Sequence, residues 1–373
     1  MLKIKKNPED FKVEEITPNG EVMETEKKYK FKENSKGNQL ICTLVKNNWE
    51  QNRAIKEISN RLHFSRKRIG YAGTKDKRAL TSQRISIYGC KPEDVKELKI
   101  KDIDVKPIEY SDERITLGDL WGNKFTIKVE TDKEIKPKKK IPNYYGHQRF
   151  GKIRPITHLV GEAAIKEKPE EAVKIYLTKS FEEESEDAKK ARKWLEKNWD
   201  KNRSNDEERK EVFKEALKKY PKYLGYERTL LHHLVEYPRD YINSLRKLPK
   251  NLEIMFSHAY QSYLFNQYLD EVKDRIEKGE IEQEEGPVYG YETDLKNEYE
   301  RKILKENGLE LKDFKVNCLP ELSEEGKRRK LFIDLNDLEI LDKGENYYEI
   351  SFSLSKGSYA TVVIEELFED KLD

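Results

Sequence analysis

The sequence predicts an α+β protein in which two strand-rich ends enclose a helix-rich middle. Its 373 residues exceed one average domain and fit two. Alternating apolar and polar residues, the pattern of a half-buried strand, occur near both ends of the chain. From about Pro155 the composition shifts to Glu, Lys and Ala with helical spacing. These patterns together predict one discontinuous domain that carries an insertion.

The first part of the chain mixes strands and helices. Residues 40–45 form a short apolar run that predicts a buried strand. One face of the next predicted helix carries Ala54, Ile55, Ile58 and Leu62. Residues 124–130 predict a strand with period two, whose apolar face carries Phe125, Ile127 and Val129.

The later part of the chain begins helical and ends in strands. Pro249, which suits a helix start, precedes a helical stripe of Leu252, Met255, Phe256, Ala259, Tyr263 and Leu264. Strand alternation returns in Tyr348, Ile350, Phe352 and Leu354. Gly357 marks a turn, and residues 359–364 predict one more strand.

The distribution of charge is more informative than the formal net charge of +2. A first basic run surrounds a single acid, Asp76, with Arg61, Arg66, Lys67, Arg68, Lys75, Lys77, Arg78 and Arg84. A second run consists of Lys136, Lys138, Lys139, Lys140, Arg149, Lys152 and Arg154. One run alone is most simply a solvated surface of mixed charge. Two runs in one half of the chain favour a polyanionic partner. The composition, rich in Lys and Glu and poor in Met, Cys and His, is typical of hyperthermophile proteins.

Several common functional signatures are absent from the sequence. The three cysteines are far apart and form no CxxC, and no apolar run approaches membrane-spanning length, so a reducing cytoplasm is expected. No GxGxxG, Walker A, HExxH, zinc-ligand spacing or GxSxG motif occurs. We therefore expect no cofactor and no metal.

The motif that points to chemistry lies at residues 73–78, GTKDKR, between two apolar segments. By itself a Lys-Asp-Lys turn is most simply a solvated hairpin tip. The functional reading is a carboxylate, Asp76, held among Lys75, Lys77 and Arg78. These cations would favour its ionised form and attract the phosphates of a nucleotide.

The surrounding sequence resembles the TruD family of tRNA pseudouridine synthases. YAGTKDKRALTSQ (71–83) is similar to the family's active-site motif. Five further strings resemble family motifs in the same order along the chain: NPEDFKVEE (7–15), LGDLWGNKFTI (117–127), PNYYGHQRFG (142–151), AYQSYLFN (259–266) and LSKGSYAT (354–361). The resemblance implies a pseudouridine-synthase fold, a mixed and largely antiparallel sheet with flanking helices, that carries a helix-rich inserted TRUD domain. It also implies isomerisation of uridine to pseudouridine, typically at position 13 of tRNA.

The resemblance implies a role for seven residues. Asp76 matches the family's catalytic aspartate, which acts at C1′ of the target nucleotide by attack or by assisting elimination. Residues that match positions around that nucleotide are Phe11, Asn123, Phe125 and Tyr359. The resemblance further implies that Lys5 and Arg149 contact Asp76 or the substrate, whereas the same role for Lys75, Lys77 and Arg78 is predicted from their place in the motif. Without the resemblance, Phe11 and Phe125 would be read as core residues, Asn123 as a turn residue, and Arg149 as an anchor of the domain junction.

The sequence also departs from the family pattern. Tyr359 stands where the family often has phenylalanine, and Glu365 where arginine is usual. In KNNWEQN (46–52) the usual threonine is missing. The loss of an arginine puts the substrate contacts near the C-terminus in doubt and leaves the assignment of Asp76 unchanged.

The resulting hypothesis is a cytoplasmic, monomeric isomerase whose partner is tRNA. A discontinuous catalytic domain (1–154 plus 331–373) would hold the inserted domain (155–330), and the target base would be flipped into a cleft between them. Two alternatives remain open: the same chemistry on another tRNA position or another RNA, and an RNA-binding module without catalysis. An intact GTKDK string favours the enzyme, because binding alone does not need that carboxylate.

Overall fold

Two compact units make up the chain. The structure is a computed structural model and describes residues 2–200, 205–335 and 337–372. The first unit comprises Met1–Ile141 and Ile333–Asp373, and the second comprises Pro142–Phe332. The sequence-based boundaries were 155 and 330, so the second unit begins earlier than expected. That the two units are a catalytic and an inserted domain stays a prediction.

The first segment of the chain is rich in strands. Its elements, in chain order, are β1 (Phe11–Ile16), β2 (Gln39–Asn47), α1 (Gln51–Arg61), β3 (Ile69–Tyr71), β4 (Leu80–Tyr88), α2 (Pro92–Lys96), β5 (Ile103–Ser111), β6 (Gly122–Glu130) and β7 (Lys140–Pro142). The predicted strands at 40–45 and 124–130 are confirmed as β2 and β6. The helix predicted after the first of these strands is confirmed as α1, which buries Ala54, Ile55 and Ile58.

The second unit is rich in helices, as its composition indicated. Its elements are α3 (Thr157–Ile165), α4 (Pro169–Thr178), α5 (Glu186–Trp199), α6 (Asp206–Lys219), α7 (Gly225–Glu236), α8 (Tyr241–Leu245), α9 (Lys250–Glu277), β8 (Glu285–Val288), α10 (Glu298–Glu306) and β9 (Lys327–Lys330). The long helix α9 contributes Phe256, Tyr260 and Leu264 to the core. Met255, expected on the apolar stripe, is instead 37% exposed. Gly161 lets α3 approach α9, because a Cβ there would lie 2.0 Å from the Phe256 carbonyl oxygen.

The chain then returns to the first unit. The remaining elements are β10 (Phe332–Asp334), β11 (Glu339–Lys343), β12 (Tyr347–Ser355) and α11 (Ala360–Phe368). The prediction of a strand at 359–364 is wrong, because these residues begin α11. The buried residues of α11 include Ala360, Val363, Ile364, Leu367 and Phe368, which follow helical spacing. Burial of this face outweighs the low helix propensity of the β-branched residues.

The main sheet of the first unit is mixed and largely antiparallel. Its strand order is β11-β12-β6-β1-β4-β2-β5, and β3 pairs with β4 off this path. Within this sheet β1 and β4 run parallel, and the other described pairs are antiparallel. Helix α1 covers part of one face, where its apolar side chains join those of β2, β4 and β5 in one core cluster. The α+β class and the mixed, largely antiparallel sheet are therefore confirmed.

Candidate active site around Asp76

Asp76 lies on the connection between β3 and β4. These strands pair as an antiparallel hairpin that ends at Tyr71 opposite Ile85. Residues 73–78, hereafter the Asp76 loop, leave the sheet beyond that point and rejoin it where β4 begins. The sequence placed GTKDKR on a loop between apolar segments, and the structure agrees. The Asp76 side chain is 42% exposed, so a ligand can approach its carboxylate.

Lys5 is the cation nearest to the Asp76 carboxylate among the described ion pairs. Its Nζ lies 3.3 Å from Oδ2 of Asp76 and 3.8 Å from the centroid of the Phe11 ring. Lys5 adopts a left-handed backbone conformation, with φ of 60°. A lysine held in this sparsely populated region is strained, and such strain often accompanies a functional position. The structure thus brings together Asp76, Lys5 and Phe11, which the sequence assigned to one site.

The Lys75 side chain does not face Asp76, as its adjacency in sequence suggested, but pairs with Glu15. Its Nζ lies 2.9 Å from Oε2 of Glu15, and both side chains are almost fully buried. Arg84 approaches the same carboxylate with its Nε at 3.8 Å and donates its backbone N–H to it at 3.2 Å. The charge of Lys75 therefore anchors the Asp76 loop to β1, rather than facing the Asp76 carboxylate or solvent.

The two following cations remain on the surface. Lys77 and Arg78 are exposed, and Arg78 donates from Nη2 to the backbone oxygen of Lys6 at 3.0 Å. This bond ties the end of the Asp76 loop to the segment that carries Lys5. Lys77 and Arg78 are thus available for phosphate contacts, which stay a prediction.

The aromatic residues of the predicted site form a buried row. The ring centroids of Phe11 and Phe125 are 6.1 Å apart, and those of Phe125 and Phe352 are 5.7 Å apart and stacked. Phe11 is 2% exposed and Phe125 is 8% exposed. Since Lys5 covers one face of Phe11, a base can stack there only if Lys5 moves. Both phenylalanines are buried in the core in this structure, and their contact with a substrate stays a prediction.

Asn123 lies at the start of β6, next to the strand that carries Glu15. It pairs with Glu15 on β1 and with Leu354 on β12. Gly122 before it has no room for a side chain, because a Cβ there would lie 1.9 Å from the Leu354 carbonyl oxygen. The Oδ1 of Asn123 is buried and, among the described residues, has no hydrogen-bond partner. An unpaired buried acceptor costs about 1–3 kcal/mol, which a ligand donor can recover.

Arg149 belongs to the second unit. Its Nε donates to the Ser262 hydroxyl at 3.2 Å. It lines a polar cavity of about 300 Å³ together with Tyr145, His258, Gln261, Glu324 and Lys327, among others. The predicted action of Arg149 on Asp76 or on RNA phosphates stays a prediction.

Lys46 on β2 is the residue of this site that the sequence reasoning missed. It is 1% exposed, and its Nζ donates to the backbone oxygens of Asp76 at 2.7 Å and Trp49 at 2.8 Å. A longer contact, 3.5 Å, reaches the backbone oxygen of Lys75. Burial lowers the pKa of Lys46 to about 8, against the opposing effect of nearby carboxylates. Period two in β2 was the available signal, because it places Lys46 on the face of Leu40, Cys42 and Leu44.

Comparison with known proteins gives the chain a family. The family description tRNA pseudouridine synthase D (TruD) matches residues 2–285 and 270–367. The chain belongs to the TruD family. A Methanopyrus kandleri protein named probable tRNA pseudouridine synthase D is 38% identical over 89% of this chain and 86% of its own length. A Methanocaldococcus jannaschii protein named probable tRNA pseudouridine synthase D 1 is 38% identical over 99% and 95%.

A solved TruD structure has the same fold. The crystal structure of the Methanosarcina mazei TruD protein superposes with a TM-score of 0.76 at 32% identity, and covers 99% of this chain and 93% of that one. The TruD fold expected from the sequence is thereby confirmed. Within residues 2–200, 205–335 and 337–372, no helix is long and apolar enough to cross a membrane. The same described residues contain no group of His, Cys, Asp and Glu side chains that could hold a metal ion.

The structure explains one departure from the TruD pattern. Glu365, where the family usually has arginine, accepts the backbone N–H of Leu372 at 3.1 Å and is 13% exposed. Its carboxylate therefore holds the C-terminal segment against α11. Tyr359, the other departure, is the residue before the first turn of α11 and is half-buried.

Proposed function

We propose that this TruD-family protein converts uridine to pseudouridine in tRNA, at position 13, with Asp76 as the catalytic carboxylate. The observation that carries the proposal is the Asp76 loop, where a solvent-accessible carboxylate pairs with Lys5. The loop resembles the family's active-site motif and lies within the residues that match the family. The alternative of a binding module without catalysis does not account for a carboxylate held in this way.

The reaction is an isomerisation and imports no group. The bond from C1′ to N1 of uracil breaks, the base rotates, and C5 bonds to C1′. The proton of C5 then passes to solvent and N1 takes up a proton, so the nucleotide keeps its composition. Asp76 acts either by attack on C1′ or by assisting elimination to a glycal. In both routes a carboxylate must lie within contact of the sugar, and positioning of this kind supplies much of the rate. Lys5 balances the charge of Asp76 while leaving its second oxygen open to the nucleotide.

The target base must leave its stack before this chemistry, which costs a few kcal/mol. Asn123 would supply a compensating contact once a local movement uncovers its buried Oδ1, because uracil carries an N–H donor at N3 and this oxygen is an unpaired acceptor. Tyr359 supplies a ring for stacking, which contributes about 1–3 kcal/mol per base. Aromatic stacking on Phe11 would require displacement of the Lys5 ammonium.

The function is tested with a tRNA transcript labelled with tritium at C5 of uracil. We expect the purified protein to release label, and mapping to find pseudouridine at position 13. A matched transcript with cytidine at position 13 should release none. Equal release from both transcripts would move the target to another position. Binding without any release, from this transcript or from total RNA, would support the module without catalysis.

Binding of tRNA should weaken steeply as salt increases, because phosphate contacts release counterions. Arg66 and Lys67 are exposed, whereas Lys136 of the second basic run is already paired with Glu369. Replacing Arg66 and Lys67 with Ala should raise the Kd. It should also reduce the slope of log Kd against log salt by about one per lost contact. The control Lys136→Ala should have a smaller effect. Fluorescence anisotropy from low to moderate salt measures this, and salt-insensitive binding would contradict the basic run as an RNA contact.

A further inference from the structure

The Asp76 loop has few backbone partners of its own. Strand pairing stops at Tyr71 and resumes at Leu80, so residues between them depend on other contacts. Among the described hydrogen bonds, the backbone oxygens of Lys75 and Asp76 both accept from one group, Nζ of Lys46. The same nitrogen also donates to the Trp49 carbonyl, just before α1. One ammonium thus joins β2, the start of α1 and the Asp76 loop.

We infer that Lys46 is a positioning residue for the proposed isomerisation, and that its ammonium fixes the backbone from which the Asp76 side chain projects. The inference rests on the proposed function of Asp76. A carboxylate lies only two bonds from its Cα, so its location follows that of the backbone closely. A displacement of about 1 Å at a reacting group can cost on the order of 10²-fold in rate.

The chemistry of Lys46 supports a role beyond packing. Four aliphatic carbons and a charged head are buried here, although an apolar side chain of the same length would avoid desolvation. Burial lowers the pKa of Lys46, and the charges that act on it are Asp76, Glu50 and Lys75. Three backbone carbonyls face the head group, and an ammonium has three donors. The site is therefore matched to a lysine and not merely tolerant of one.

The other anchors of the loop act at its flanks. The Lys75 side chain pairs with Glu15, and Arg78 donates from the end of the loop to the backbone oxygen of Lys6. Gln83 reaches the Gly73 carbonyl at 3.4 Å. Among the described side chains, Lys46 is the one that donates to the backbone oxygen of Asp76 itself. Loss of this contact should free the catalytic residue while the flanking anchors keep the loop attached.

The test compares Lys46→Met and Lys46→Gln with wild type and with Lys106→Met. Lys106 is a matched control, because its Nζ also donates to two backbone oxygens, those of Thr25 at 2.8 Å and Lys27 at 3.2 Å. Single-turnover release of tritium at saturating protein gives the rate, and anisotropy gives the Kd for tRNA. We expect both Lys46 variants to lose roughly 10²-fold in rate with a Kd within about twofold of wild type. Lys106→Met should keep the wild-type rate.

A second readout does not depend on activity. Hydrogen–deuterium exchange of peptides that cover residues 73–79 should be faster in the Lys46 variants and unchanged in Lys106→Met. Unchanged exchange, or a wild-type rate in a folded Lys46 variant, would overturn the inference. So would failure of both Lys46 variants to fold while Lys106→Met folds, because Lys46 would then be purely structural. If wild type itself makes no pseudouridine, the proposed function fails, and loop exchange still decides whether Lys46 fixes the Asp76 backbone.

Discussion

Replacing Asp76 with Asn is expected to abolish pseudouridine formation without unfolding the protein. The substitution keeps the shape of the side chain and the backbone oxygen that Lys46 contacts. It removes the charge and the nucleophilic oxygen that both proposed routes require. Loss of a residue that forms or breaks the reacting bond costs on the order of 10⁴-fold or more in kcat. The rate of tritium release should therefore fall below detection.

Two features of the site make this a sharp experiment. The Asp76 side chain is partly exposed and its ion pair with Lys5 is accessible to water, so stability should change little. The affinity for tRNA should also stay within about threefold, since phosphates rather than Asp76 dominate binding. A loss of activity together with loss of folding or binding would not single out the carboxylate.

The matched control for Asp76→Asn is Asp104→Asn. Asp104 is also an exposed aspartate paired with a lysine, with its Oδ2 at 3.6 Å from Nζ of Lys106. It should keep the wild-type rate. Asp76→Ala guards against trace activity from deamidation of the new asparagine. Release of label at the wild-type rate by a folded Asp76→Ala protein would remove Asp76 from the proposed mechanism.

The parts of the fold that the sequence predicts well are those with local periodicity. The alternation of Phe125, Ile127 and Val129 predicts β6, and the spacing of Ala54, Ile55 and Ile58 predicts α1. The strand prediction at 359–364 was wrong because the β-branched residues of this segment have the local composition of a strand. The buried positions 360, 362, 363, 364, 367 and 368 show helical spacing only when the residues beyond 364 are included. The start of the second unit at Pro142 follows no composition change either.

The candidate site shows the same division between local and long-range information. The position of Asp76 on a loop follows from the motif, and adjacency in sequence predicts Lys75, Lys77 and Arg78 as its cationic neighbours. Lys75, however, turns to Glu15, sixty residues away. The ammonium beside the carboxylate comes from Lys5, and the one beneath its backbone comes from Lys46. Such pairings arise from the parallel alignment of β1 with β4 and from the pairing of β2 with β4, which no local pattern reveals.

Replacing Glu15 with Gln is expected to destabilise the first unit by about 3–5 kcal/mol, because it leaves the buried ammonium of Lys75 without a counter-charge. Glu15 is 0% exposed and Lys75 nearly so, and their atoms are 2.9 Å apart. The control is Glu109→Gln, which removes the ion pair of Glu109 with Lys32. Its Nζ–Oε2 distance is shorter, 2.7 Å, but the pair is exposed to solvent. The control should cost no more than about 1 kcal/mol, since exposed ion pairs contribute little.

The double variant Glu15→Gln with Lys75→Met distinguishes the loss of attraction from the cost of an unpaired charge. Methionine fills a similar volume without a charge, so the double variant should recover most of the stability lost by Glu15→Gln alone. Native-state hydrogen exchange of peptides from β1 and β4 reports on the first unit separately, which one unfolding curve of a two-unit chain does not. If the double variant is as unstable as Glu15→Gln, the residual charge of Arg84, 3.8 Å from Glu15, rather than Lys75, is what Glu15 balances.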